Sequence, residues 1–133
     1  MAKAERVLVV EDDPTFRRIV ELNLTARGYQ VDVADSGRSA LELIERHPDL
    51  IVVDLGLPDM DGIDLITRLR ASLTTPILVA SARDARTAKV AALGAGADDY
   101  IAKPFGADQF MSRVRAILRR PEPPNGEPLR FSA

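Results

Sequence analysis

Several side chains with the chemistry for phosphoryl transfer stand where apolar runs of the sequence end. Leu50-Ile51-Val52-Val53 runs out at Asp54, and Val7-Leu8-Val9-Val10 runs out at Glu11 and Asp12. Pro76 to Ala80 ends at Ser81, and Tyr100-Ile101-Ala102 ends at Lys103. Together these ends offer three carboxylates, a hydroxyl and an ammonium. Carboxylates sharing one cleft repel each other unless a cation neutralises them. Oxygen donors without His or Cys favour Mg²⁺, with Mn²⁺ as an alternative. A carboxylate can attack phosphorus and become an aspartyl phosphate, and a metal screens the charge between nucleophile and phosphoryl group. Lys103 can hold one phosphoryl oxygen as a point charge, and Ser81 can hydrogen-bond another. Asp54 is the candidate phosphoacceptor.

Positioning these groups requires a sheet whose carboxyl edges converge. Continuous apolar runs of four or five residues read as parallel strands buried on both faces. Between them lie amphipathic helices. Asp13-Pro14 is an N-cap followed by a first-turn proline, and Phe16, Ile19, Val20, Asn23 and Leu24 recur at helical spacing before Gly28. Tyr29, Val31 and Val33 alternate with Gln30, Asp32 and Ala34, which suits an edge strand with one wet face. Ser36-Gly37 opens a helix through Ala40, Leu41 and Ile44, closing before Pro48. Ile63, Ile66 and Leu69 form the next stripe. The helix from about Asp84 to Leu93 is mostly alanine, with Val90 and Leu93 as its larger anchors, and should pack least firmly. Phe110, Val114, Ile117 and Leu118 make the last stripe. Five β–α repeats with short loops predict an α/β fold, a doubly wound five-stranded parallel sheet with helices on both faces. In such sheets, ligand chemistry collects at the carboxyl ends of the strands.

Composition sets the outer limits. The 133 residues carry a net charge of −2 and 46% hydrophobic residues, so a core is affordable and no basic field attracts nucleic acid. No cysteine is present, which excludes disulfides and thiolate metal sites. No apolar run approaches the ~20 residues of a membrane span, and Met1 to Arg6 offers no signal peptide. The expected setting is cytoplasmic. Residues 1–120 read as one domain. Residues 121–133 read as a proline-rich linker, with Leu129-Arg130-Phe131 as the start of a missing further domain.

The motifs together resemble the response-regulator receiver domain of two-component signalling. They are Val9-Val10-Glu11-Asp12-Asp13, Asp54-Leu55-Gly56-Leu57-Pro58-Asp59-Met60-Asp61-Gly62, Ser81-Ala82-Arg83 and Lys103-Pro104-Phe105. The resemblance implies a flavodoxin-like, CheY-like sheet in the order 2-1-3-4-5 and phosphorylation of Asp54 by a histidine kinase. It implies Mg²⁺ bound by Asp12, Asp54 and the Gly56 carbonyl, with Glu11 reaching it through water. It pairs Ser81 with Tyr100 as a switch and implies a cis peptide before Pro104. A narrower similarity, to the OmpR/PhoB subfamily, rests on Gly96 to Ile101 and Ser112 to Arg120. That similarity implies a homodimer through the fourth helix, fifth strand and fifth helix, using Lys89, Asp98, Asp99, Gln109, Arg113 and Arg115. It also implies DNA contact only through a missing C-terminal winged-helix domain, and no membrane contact. Gln109 stands where the subfamily has Glu, so a weaker dimer is expected, since exposed ion pairs contribute only about 0–1 kcal/mol.

Two other functions compete. A phosphatase with a phosphoaspartate intermediate would need a second acid two residues after Asp54, where this chain has Gly56. A phosphorylation-independent pseudo-receiver would typically lack one acid or the lysine, and this chain lacks neither. His47, before Pro48 at a helix end, reads as a solvated terminal charge and not a phosphorelay histidine.

Overall fold

The structure, a computed structural model, describes residues 4–83 and 85–119. Asp84, Arg120 and the segment expected to be a linker lie outside the described residues. The first half runs β1 (Arg6–Val10), α1 (Pro14–Ala26), β2 (Gln30–Ala34), α2 (Gly37–Leu43) and a 3-10 turn (Ile44–Arg46). The second half runs β3 (Leu50–Val53), α3 (Gly62–Arg70), β4 (Ile77–Ser81), α4 (Ala85–Ala95), β5 (Asp99–Ala102) and α5 (Ala107–Leu118). All strand pairs are parallel, in the order β2-β1-β3-β4-β5.

Strand alternation divides the core into two layers. Leu8, Val10, Ile51, Val53, Ile77 and Val79 face α2, α3 and α4. Val7, Val9, Leu50, Val52, Leu78 and Ile101 face α1 and α5, against Val20, Leu24, Phe110 and Val114. Extended one residue past the strands, the same two-residue period places Glu11, Asp54 and Lys103 toward the α1/α5 layer. Ser81 and Tyr100 fall toward the α4 layer.

The local signals hold at the helix starts. The Asp13 carboxylate accepts from the N–H groups of Thr15 and Phe16, with Pro14 in the first turn. Ser36 and Ser39 form a reciprocal capping box at α2.

Other expectations need correction. Val90 is 70% exposed and Leu93 39% exposed, so neither anchors α4; Ala88 and Ala92 are the buried residues. Four-residue spacing puts those alanines on one face, where they join the core cluster. In α3, Leu65 joins Ile66 and Leu69 in the core, while Ile63 is only half-buried. The α-helical part of α2 stops at Leu43, and Ile44 belongs to the tighter turn that follows. His47 ends that turn, exposed, with φ 58°. On β2 the alternation slips: Val33 is exposed and Ala34 buried. Asp32, from the expected wet face, is half-buried between Arg6 and Arg46, each 3.1 Å away.

Candidate functional site

The register of the sheet brings the chemistry together. Val10 pairs with Val53, and the next N–H, that of Asp54, donates to the Val10 carbonyl at 3.0 Å. Glu11 and Asp54 are therefore neighbours across adjacent strand ends. Ligand oxygens of Glu11, Asp12 and Asp54 all lie within 4.8 Å of one another. Hard oxygen donors of this number and spacing fit a small divalent cation better than a thiolate- or imidazole-seeking metal.

Lys103 closes the cleft from β5. Its Nζ donates to Glu11 Oε1 at 2.8 Å and lies 3.7 Å from Asp54 Oδ2. Glu11 is almost fully buried, Asp54 half-buried and Asp12 exposed, so the cleft grades from a dry floor to a wet rim. Burial pushes the Glu11 carboxyl above the ordinary glutamate value, opposed by its hydrogen bonds from Lys103 and the Asp13 N–H. The Glu11 carbonyl also accepts from Arg17 Nη1 at 2.8 Å, which ties the first turns of α1 to the floor of the cleft.

The loop after Asp54 is folded back on itself. Gly56 bridges Asp61, and the Gly62 N–H donates to the Leu55 carbonyl at 2.9 Å. A Cβ at Gly62 would stand 2.5 Å from Leu55 Cα and 2.8 Å from the Asp54 carbonyl, so only glycine fits this approach. A Cβ at Gly56 would instead make an ordinary 3.9 Å contact with Asp54 Oδ2. Position 56 thus faces the nucleophile and leaves it uncovered. Asp59 anchors the loop to α2, accepting from Gly37 N at 2.8 Å and Arg38 N at 2.9 Å, and those N–H groups hold its carboxyl below the ordinary aspartate value.

Ser81 ends β4, buried, with its Oγ accepting from the Arg83 N–H at 3.2 Å. Tyr100 is also buried, and its hydroxyl donates to the Arg83 carbonyl at 3.4 Å. Both residues expected to switch therefore converge on Arg83. The Lys103-Pro104 peptide is cis.

The residues expected at a dimer face are placed unequally. Lys89, Gln109 and Arg115 are exposed. Asp99 pairs with Arg113 at 2.9 Å within the chain, and Arg113 also donates to the Tyr100 carbonyl. Asp98 pairs with Arg70, not with Arg113 or Arg115, and accepts from the Ile77 N–H. Sequence reasoning missed Arg70, whose guanidinium also reaches the carbonyls of Leu73, Thr75 and Gly96. It also missed the part played by Phe16, whose ring lies 4.1 Å from Lys103 Nζ.

Comparison with known proteins decides the family. The response regulator receiver domain matches residues 7–115. The chain belongs to this family. The receiver domain is 53% identical over 115 residues to the transcriptional regulatory protein KdpE of Mycobacterium tuberculosis, covering 86% of this chain and 51% of that protein. It is 46% identical over 117 residues to the virulence transcriptional regulatory protein PhoP of Salmonella typhimurium, covering 86% and 52%. The chain thus spans about half the length of these curated relatives. They are OmpR/PhoB-family regulators. A crystal structure of a response regulator from Chloroflexus aurantiacus superposes on the receiver with a TM-score of 0.83 at 41% identity, covering 89% of this chain and all of that one. No described helix is long and apolar enough to cross a membrane.

Proposed function

We propose that Asp54 accepts a phosphoryl group from a histidine-kinase phosphohistidine and that the modified receiver switches an attached DNA-binding domain. The observation that carries this reading is the position of Lys103. Its ammonium is hydrogen-bonded to Glu11 and pairs with Asp54 at the longer distance of 3.7 Å, within reach of an oxygen added there. In the transfer, an Asp54 carboxylate oxygen forms a bond to phosphorus as the P–N bond breaks. The bonding electron pair stays with the imidazole nitrogen, and the ring, protonated on its other nitrogen, leaves as neutral imidazole.

Mg²⁺, held by Asp12, Asp54 and the Gly56 carbonyl with Glu11 through water, would offset the negative charge of the cluster and of the incoming group. Lys103 stabilises the added oxygens as a point charge. Ser81 exchanges its hydrogen bond from the Arg83 N–H for donation to a phosphoryl oxygen. That exchange releases one of the contacts on Arg83 and biases the β4–α4 loop toward a second arrangement. Tyr100, already inward against the Arg83 carbonyl, supports the loop in that state.

The same reading places a homodimer on α4, β5 and α5, with Lys89, Asp98, Asp99, Gln109, Arg113 and Arg115 at its rim. Exposure of Val90 and Leu93 supports it. Asp98 and Asp99 would share their existing partners Arg70 and Arg113 with the second copy. Residues 1–120 form the receiver in this reading, and 121–133 lead to a winged-helix domain, in keeping with relatives that extend well past the matched segment. Cognate kinase and receiver would meet in the cytoplasm.

Intact mass after incubation with Mg²⁺ and acetyl phosphate tests the reading. One acid-stable, base-labile phosphoryl adduct is expected, absent in Asp54→Asn. No adduct on a chain that still binds Mg²⁺ would overturn it.

A further inference from the structure

We propose that Phe16 is a positioning residue for the Lys103 ammonium, its ring face serving as a third partner beside Glu11 and Asp54. The inference rests on the phosphoryl-acceptor reading for its consequence, though not for the contact itself. Lys103 Nζ lies 4.1 Å from the centroid of the Phe16 ring. The same ammonium is 2.8 Å from Glu11 Oε1 and 3.7 Å from Asp54 Oδ2. The negative face of an aromatic quadrupole attracts a cation at this distance, more so where water is partly excluded. Lys103 is such a case, with 18% of its side chain exposed.

Phe16 is held at its backbone and at its ring. Its own backbone N–H donates to the Asp13 cap at 3.3 Å. The Phe105 ring meets it nearly perpendicular, 81° between planes and 5.5 Å between centroids. Phe105 in turn stacks on buried Phe110 at 5.6 Å. A chain of three rings thus runs from the α5 core to the catalytic ammonium, and it fixes where the Phe16 face points.

The arrangement suits a lysine that changes partners. Its hydrogen bond to Glu11 is directional and is lost when Nζ turns to a phosphoryl oxygen. Attraction to a ring face is broad in angle and persists through that turn. Phe16 therefore keeps the ammonium at the cleft while its oxygen partner changes, and an aliphatic side chain of similar size would fill the space without doing so.

The test uses the 133-residue chain as wild type, Phe16→Leu, Phe16→Tyr and Asp54→Asn. Phosphorylation by acetyl phosphate is followed by mass: an Asp54 oxygen bonds to phosphorus, and acetate leaves with the electron pair. Proton NMR of the Lys103 Hε methylene reports the ring current of Phe16. Phe16→Leu should phosphorylate about three- to tenfold more slowly and lose the upfield ring shift at Lys103, while Phe16→Tyr keeps both. An unchanged rate in Phe16→Leu, or an equal loss in Leu and Tyr, overturns the proposal. If Phe16→Leu does not fold, the wild-type spectrum decides alone, since absence of nuclear Overhauser contacts between the Phe16 ring and Lys103 Hε overturns it. A wild type that shows the ring shift and takes no phosphoryl group refutes the phosphoryl-acceptor reading and leaves the Phe16–Lys103 contact standing.

Discussion

Arg83 reaches across the mouth of the cleft to Asp61: its Nη1 lies 3.2 Å from Asp61 Oδ2, and its Nη2 donates to the Leu55 carbonyl at 3.1 Å. Asp61 is the N-cap of α3, so one guanidinium fastens the loop after β4 to the loop after β3. Its backbone, meanwhile, receives Tyr100 and donates to Ser81. The two halves of the expected switch and the loop bearing the nucleophile are thus joined through one residue.

Replacing that side chain separates the functions. Arg83→Ala is expected to cost only about 1 kcal/mol in urea denaturation, because the ion pair is well exposed and one hydrogen bond is lost with it. It should also shorten the life of the phosphoryl group, by opening the cleft to water between Leu55 and Asp61. Hydrolysis followed by mass after removal of the phosphodonor would show this, and an unchanged lifetime would contradict it.

Lys103→Met leaves the Glu11 carboxylate buried without its ammonium. A loss of up to about 3 kcal/mol is expected at neutral pH without Mg²⁺. The sign with pH follows from the direction of the Glu11 shift. Its folded value is raised, so the protonated form favours the fold. This contribution is fully present below the unfolded value of 4.5 and is lost as pH rises through the folded one. The variant should therefore lag wild type most at neutral pH and recover on acidification. Chemical denaturation at several pH values checks it; a deficit that is constant with pH would count against the account.

Gly62→Ala pushes a methyl group into Leu55 and the Asp54 carbonyl. Neither neighbour is a flexible side-chain end that could move aside. A destabilisation of about 1–3 kcal/mol is expected, together with slower phosphorylation, because the displaced backbone carries the nucleophile. Gly28→Ala, with open space around its Cβ, isolates the cost of the strained backbone alone at φ 93° and should leave the phosphorylation rate untouched.

Asp59→Ala removes both acceptors at the start of α2. A lower melting temperature is expected at neutral pH. The Asp59 carboxyl is held below its ordinary value, so its contribution is complete above pH 3.8 and lost as pH falls through the lower folded value. Wild type and variant should then melt alike at strongly acid pH. A gap that persists there would assign the effect to packing.

The sheet and the acidic cleft were legible because each rests on a local signal. Strands covered on both faces read as unbroken apolar runs, and Glu11, Asp54 and Lys103 follow such runs directly. In α4 side-chain size is a poor guide to burial: Val90 and Leu93 are the larger residues, whereas Ala88 and Ala92 form the inward stripe. Arg70 left no trace in the sequence, since its acceptors come from two separate loops that only the folded chain brings together. Phe16 was visible as a member of the α1 stripe, but a stripe does not say which residue across the sheet its ring will meet. The opposition of Ser81 and Tyr100 to the carboxylates was available in the parity of β4 and β5, and counting alternate residues past each strand would have found it.

Helix α4 buries the methyl groups of Ala88 and Ala92 and leaves Val90 mostly, and Leu93 partly, in water. A Leu in place of Ala88 or Ala92 would have grown roots in the sheet. With alanine there, sliding the helix sacrifices little apolar contact, since each buried methylene is worth only about 0.8 kcal/mol. Val90, mostly exposed, and Leu93, partly exposed, meanwhile hold unburied apolar surface on the outer side. The helix behaves as a tile laid on smooth ground with some adhesive left facing up: a surface that covers it finds apolar area the domain has not used.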